Sequence, residues 1–278
     1  MSHRITLGIL IAGAMTCAPY TLSGQWLNYP DARTPRTKDG RPNLTAPAPR
    51  INGKPDLSGV WQAQRAPLEE YARVLGQDTV NLQVDIQLGS VQTGSVFWGM
   101  KPEDAPLTPE GTAILKQHMG LVGPPVTGCL PVGMPGILVI YAFKIVQTSQ
   151  EIVILPEHAD PPRQIYLDGR GLPKNPDPTW NGYSVGKWQG DTLVVDTIGL
   201  NDKPWLDYAG HPRSERMHIT ERYRRRDFGH IDLEMTFEDP KYYTRPFSFK
   251  TVLNLIPDSD VLEYVCAENE RDGVHLPK

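Results

Sequence analysis

From residue 137 to residue 266 the chain reads as nine short runs rich in β-branched and aromatic residues: 137–148, 151–156, 163–168, 182–188, 192–198, 217–225, 231–238, 247–255 and 260–266. Turn residues separate the runs and no helical periodicity lies between them, so consecutive strands are expected to pair as an antiparallel meander. Each strand then has one apolar face to bury. The strands must either stack as two sheets or close into a barrel, and closure also removes the free edges. The expected class is mainly β: an antiparallel meander closed as a barrel, with a two-sheet sandwich as the alternative. The 25 glycines and 27 prolines agree with a turn-rich chain and exclude a coiled coil or helical bundle.

One hairpin can be read residue by residue. Met217, Ile219 and Tyr223 alternate with His218, Thr220, Arg222 and Arg224, while Ile231, Leu233, Met235 and Phe237 alternate with Asp232, Glu234, Thr236 and Glu238. Keeping apolar opposite apolar requires paired residue numbers with an even sum, and therefore an odd-length loop around Phe228-Gly229-His230. The arginines then face acids on a solvated side. The other side is core, and it contains one acid, Glu221.

The first half of the chain is organised differently. Residues 1–24 begin with Arg4 and continue through an uncharged stretch at 5–18, the length of a signal-peptide core rather than of a bilayer span. Export to the periplasm or beyond is expected, with no integral span once this segment is removed. Ala14-Met15-Thr16 matches poorly the small-residue pattern of a lipoprotein site, so no lipid anchor is expected at Cys17. Residues 25–58 form a Pro-rich arm in which Asp39-Gly40-Arg41-Pro42-Asn43-Leu44-Thr45 is echoed by Asn52-Gly53-Lys54-Pro55-Asp56-Leu57-Ser58, read as two similar turns. Residues 59–278 form the single barrel domain, with short helices at about 67–76 and at 108–118, the latter capped by Thr108. Arm and helices are expected to cover one end of the barrel, with the site where they meet it.

The net charge is −4, and more negative still without Arg4, which argues against nucleic acid or anionic membrane surfaces as partners. Loss of the leader also leaves two cysteines, Cys129 and Cys266. In an oxidising compartment these are expected to form one disulfide; a buried or catalytic free thiol is the alternative.

Leu57-Ser58-Gly59-Val60-Trp61 resembles the glycine-x-tryptophan opening of lipocalin-like (calycin) barrels, where it closes the base. Together with QIYLDGRGLPKNPDPTW at 164–180, GKWQGDTLVVDT at 186–197, ERYRRRDFGHID at 221–232 and EYVCAENE at 263–270, the block PDLSGVW at 55–61 resembles a family of exported, β-rich proteins of environmental bacteria without an assigned activity. The resemblance spans most of the chain after the leader and implies an exported, lipocalin-like barrel. It transfers no functional residue.

Candidate chemistry comes from polar clusters at strand ends. In the loop 157–163, His158 could serve as a general base oriented by Asp160, with Arg163 stabilising an anion; the plainer reading is a polar turn. In the long connection 205–215, His211 could act as acid or base with Asp207 as its orienting partner, or simply cap a turn before Pro212. Glu221 inside the barrel is either a carboxyl of raised pKa or half of an ion pair with an inward arginine such as Arg163 or Arg245. Trp180, Tyr183, Trp188, Trp205 and Tyr208 are candidates to line an apolar pocket or to plug the barrel. His211, His218 and Glu221 do not converge on one ion, because parity puts His218 on the face opposite Glu221. No metal and no cofactor is therefore expected.

These features predict an exported barrel that binds a small, mostly apolar, ring-containing molecule. Whether it also converts that molecule stays open; conversion would be cofactor-free isomerase, lyase or hydrolase chemistry, with Glu221 and His211 as acid and base and Arg163 on a developing oxyanion. The competing class is an envelope accessory module that docks a protein partner through its loops and arm.

Overall fold

Eight of the nine expected runs hold a strand, and together with a strand at 59–63 these close on themselves. A computed structural model describes residues 30–66, 69, 95–97, 100, 104–119 and 129–265. Within them, a small hairpin of β1 (Arg50–Ile51) and β2 (Lys54–Pro55) precedes β3 (Gly59–Ala63), followed by α1 (Pro109–Met119) and α2 (Gly136–Val139). Then come β4 (Phe143–Gln147), β5 (Glu151–Pro156), β6 (Arg163–Tyr166), β7 (Tyr183–Gln189), β8 (Thr192–Ile198), β9 (His218–Arg225), β10 (His230–Glu238) and β11 (Phe247–Leu255). Strands β3 to β11 make one closed, lipocalin-like barrel in chain order, with β11 returning to pair β3. The sandwich alternative is thereby removed.

Strand direction cannot alternate all the way round a ring of nine, so one neighbouring pair must be parallel. That pair is β6 and β7, with Ile165 opposite Ser184 and Tyr166 opposite Val185. The chain re-enters β7 from the same end as β6 through a crossover at 167–182, because a parallel connection cannot be a tight turn. The purely antiparallel meander is corrected at this one pair. Hydrophobic parity tells in from out within a strand but carries no information on its direction.

The hairpin of β9 and β10 has the expected register. Glu221 lies opposite Met235, Tyr223 opposite Leu233, Arg222 opposite Glu234 and Arg224 opposite Asp232. Two other runs behave differently. The run 137–148 splits into α2 and β4: Ile137, Leu138, Val139 and Ile140 are all at most 6% exposed, and four consecutive buried residues do not fit a barrel wall, whose residues alternate. The run 260–266 forms no strand over its described part, 260–265. Instead the chain climbs the outside of the wall, with Asp258 on Arg36, Asp260 on Lys144 at 2.7 Å and the backbone N–H of Leu262 donating to Glu157.

Arm and helices cover opposite ends of the barrel, not one end as expected. The arm seals the base, where the β4–β5, β7–β8 and β9–β10 turns lie. There the N–H groups of Phe228 and Gly229 donate to the carbonyls of Ala46 and Leu44, both at 2.7 Å. A Cβ on Gly229 would fall 2.5 Å from the Leu44 Cβ, so only glycine admits the arm this closely. Gln147 accepts from the Leu57 N–H at 2.9 Å and donates to Pro55 O at 3.1 Å, and Arg50 meets Asp191 at 2.8 Å. The two echoed segments are indeed similar turns, each ending in a bridge to proline, Arg36 with Pro42 and Arg50 with Pro55.

Trp61 closes the base from within. Its Nε1 donates to Leu57 O at 2.9 Å, and the Arg225 guanidinium lies 4.9 Å from its ring centroid while donating to the carbonyls of Asp56 and Phe228.

The other end is covered by α1, α2 and the long loops. Thr108 caps α1 through the Gly111 N–H at 3.1 Å, and His118 in its last turn meets Gly210 O at 2.8 Å. The helix expected at 67–76 falls almost wholly outside the described residues, as does Cys266.

Candidate functional site

Inside the barrel, Arg163 at the start of β6 meets Glu221 of β9. Its Nη1 donates to Glu221 Oε1 at 3.0 Å and its Nη2 to the second oxygen. The guanidinium also donates to Ser184 of β7 at 3.1 Å and to Thr197 of β8 at 2.9 Å, and Tyr223 OH donates to Glu221 Oε1 at 2.6 Å. All five side chains are buried. Burial opposes the Arg163 charge, but the Glu221 carboxylate outweighs it and holds the guanidinium above its ordinary pKa; burial and the same carboxylate push the Tyr223 phenol up. Trp61, Phe143, Phe237 and Phe249 are among the large side chains buried in the core. Arg163 and Glu221 are thus each other's partners within a packed interior. Ser184 and Thr197 went unnoticed in the sequence, although both sit at inward strand positions, where a polar side chain calls for a partner.

His158 and Asp160 lie together in the β5–β6 loop at the helix-covered end. The imidazole Nδ1 is 2.7 Å from Asp160 Oδ2, and the other carboxylate oxygen accepts the Gly133 N–H at 2.8 Å. The imidazole ring is stacked on Tyr141 at 4.6 Å and on Tyr264 at 5.2 Å. Tyr264 arrives on the climbing C-terminal segment. Tyr208, expected near a ligand, lies close to Tyr141; burial, with that neighbour, raises its pKa.

His211 and Asp207 form a second pair in the β8–β9 loop. His211 Nδ1 lies 2.7 Å from Asp207 Oδ2, and the same carboxylate accepts the N–H groups of Val96 at 2.9 Å and His211 at 3.1 Å. Burial raises the Asp207 pKa, but the His211 ring and these backbone donors outweigh it and leave the carboxyl below its ordinary 3.8. A carboxyl lowered in the folded state stabilises above its unfolded pKa and loses that contribution as pH falls through the folded value. Asp207→Asn is therefore expected to cost about 1–3 kcal/mol near neutral pH. In urea titrations at successive pH values, the gap to the wild type should hold down to about pH 5 and close only below 3.8. A gap unchanged at pH 3 (roughly one unit lower still) would remove the carboxylate from this account.

The His211 ring lies 4.6 Å from Phe97, which in turn lies 4.4 Å from Phe247. Phe97 and Phe247 wall a pocket of about 380 Å³ at the start of β11, with Val96 and Phe249 as further apolar lining and Arg245 and Lys250 among its polar lining. Neither phenylalanine was singled out from sequence. Phe247 opens a strand on its inward face, which reads as core, and Phe97 reaches the pocket only through tertiary packing.

The expected aromatic cluster does not converge. Trp205 stacks on His118 of α1 at 4.6 Å, Tyr183 meets Tyr166 at 5.2 Å and accepts from Arg170, Trp180 lies under Lys203, and Trp188 packs on the core. Arg213, also missed, is fully buried and donates to the carbonyls of Asn201, Trp180 and Met134, tying the β8–β9 loop to the crossover and to the segment before α2. Burial lowers its pKa to about 9. Beside it in the fold, Asn181 donates to Pro161 O at 2.8 Å, while its Oδ1 is a buried acceptor with no partner among the described residues.

His218 points outward, 3.0 Å from Asp196, as parity required. Among the described residues no group of three or more His, Cys, Asp or Glu side chains is placed to hold a metal ion, and no helix is long and apolar enough to cross a membrane. No protein-family model, curated protein or solved structure matches the chain.

Proposed function

We propose that the protein is an exported binder of a small, mostly apolar, ring-containing molecule, held at the helix-covered end against Phe97 and Phe247. The pocket carries this reading: about 380 Å³ lies within the range of small-molecule sites, and Phe97, Phe247 and Phe249 are among its lining residues. Binding is favoured over conversion by the state of the titratable groups. Arg163 is engaged with Glu221, His158 with Asp160 and His211 with Asp207. Glu221 and His211 do not form an acid/base pair across a common space, and Phe97 stands between the His211 ring and the pocket.

Export and a Cys129–Cys266 disulfide belong to the same proposal. The C-terminal segment brings Tyr264 onto His158, whose partner Asp160 accepts from Gly133, four positions beyond Cys129. Both cysteines thus adjoin this one cluster in sequence.

Mass spectrometry of protein purified from its own host tests these points together. Under native conditions a small organic molecule should be retained; after denaturation the intact mass should lack the leader and two hydrogens. In Phe97→Ala the affinity for the retained molecule should fall about 10–100-fold, since a buried aromatic side chain contributes roughly 1.5–3 kcal/mol. Undiminished affinity in a folded Phe97→Ala protein would move the site elsewhere.

A further inference from the structure

We infer that the occupant of this pocket is an organic anion: a ring that carries a carboxylate. The inference rests on the pocket assigned above and adds the chemical class of its ligand. The apolar lining, Val96, Phe97, Phe247 and Phe249, suits a hydrocarbon ring and selects no polar group. The charged lining is of one sign, since Arg245 and Lys250 contribute to it and no acidic side chain does so among the described residues. This runs against the chain as a whole, in which 32 acids outnumber 28 lysines and arginines.

The two cations differ in how they are held. Lys250 reaches across the outer face of the wall to Glu234 at 3.1 Å. Arg245 is exposed, in the β10–β11 loop, and no carboxylate lies within ion-pair distance of it among the described residues. Its planar fork is the donor geometry that a carboxylate accepts in two parallel hydrogen bonds. A ring seated against Phe97 and Phe247 with its carboxylate toward Arg245 satisfies both sides of the pocket. A neutral ring would leave the cations to water, and a bare inorganic anion would leave the aromatic walls exposed.

Isothermal titration of the full chain with 2-naphthoate and with uncharged 2-naphthamide, at low salt, tests the inference. The two probes share a ring system and differ in charge. Naphthoate should bind about tenfold more tightly than naphthamide, a contrast of about 1.4 kcal/mol. Arg245→Gln should abolish that contrast without weakening naphthamide, Arg245→Lys should restore part of it, and added salt should shrink it. Phe97→Ala should weaken both probes. Equal binding of the two probes, or a contrast that survives Arg245→Gln, overturns the anion assignment and leaves the pocket standing. If neither probe binds, the pocket reading and the inference fall together.

Discussion

Replacing Glu221 with alanine is expected to destabilise the fold by about 3–5 kcal/mol, because it leaves the Arg163 guanidinium as an uncompensated charge inside a packed barrel. Ser184 and Thr197 still accept hydrogen bonds from it, but hydroxyls do not neutralise it. The loss should appear as a lower urea midpoint at neutral pH and a Tm lowered by roughly 2–4 °C per kcal/mol. Glu221→Gln should fall between, since it keeps the shape and loses the charge. The double change Arg163→Met with Glu221→Leu should recover most of the stability, since exchanging a whole buried pair for apolar residues is often neutral. A Glu221→Ala protein less than about 1 kcal/mol below the wild type would show that the pair is not closed off from water.

The second large effect is expected at the base. Trp61→Ala should cost about 3–5 kcal/mol, the range for removing a buried aromatic without refilling its space. More than volume is lost. The ring is the surface on which Arg225 rests, and Arg225 holds Asp56 O at the junction of arm and barrel. Trypsin should therefore cut the arm after Arg50 faster in Trp61→Ala, at temperatures where the barrel itself is still folded. Trp61→Phe should be milder, losing the Nε1 bond to Leu57 O while keeping a ring under the arginine. An unfolding cost without faster cleavage of the arm would mean that the arm is held by its backbone bonds to Phe228 and Gly229 alone.

What the residues disclosed in advance depended on whether the signal was local. The bounds of β5, β8 and β11 could be read directly, because alternation and flanking turns sit in the same few residues. Parity placed Glu221 inside and His218 outside, and a polar group in an apolar face demands a partner, so Arg163 was already among those considered. The uninterrupted apolar run at 137–140 carries no period, and its helical turn became visible only in the fold. Composition marked the arm and the covers as irregular segments but could not say that they dock at opposite ends. The pocket was hidden for a related reason: Phe97 and Phe247 are far apart in sequence, and each alone looks like core.

The odd number of strands gives the cylinder a seam. Between β6 and β7 only two residue pairs are in register, a short zipper to hold a wall shut. The Arg163 side chain starts on one side of that seam and reaches Ser184, Thr197 and Glu221 on the three strands beyond it. The buried charge thus works as a stitch, substituting side-chain bonds for backbone bonds where the topology leaves few. Closure of an odd ring demands one such pair, and the buried charge sits where this barrel has it, a role that needs no ligand.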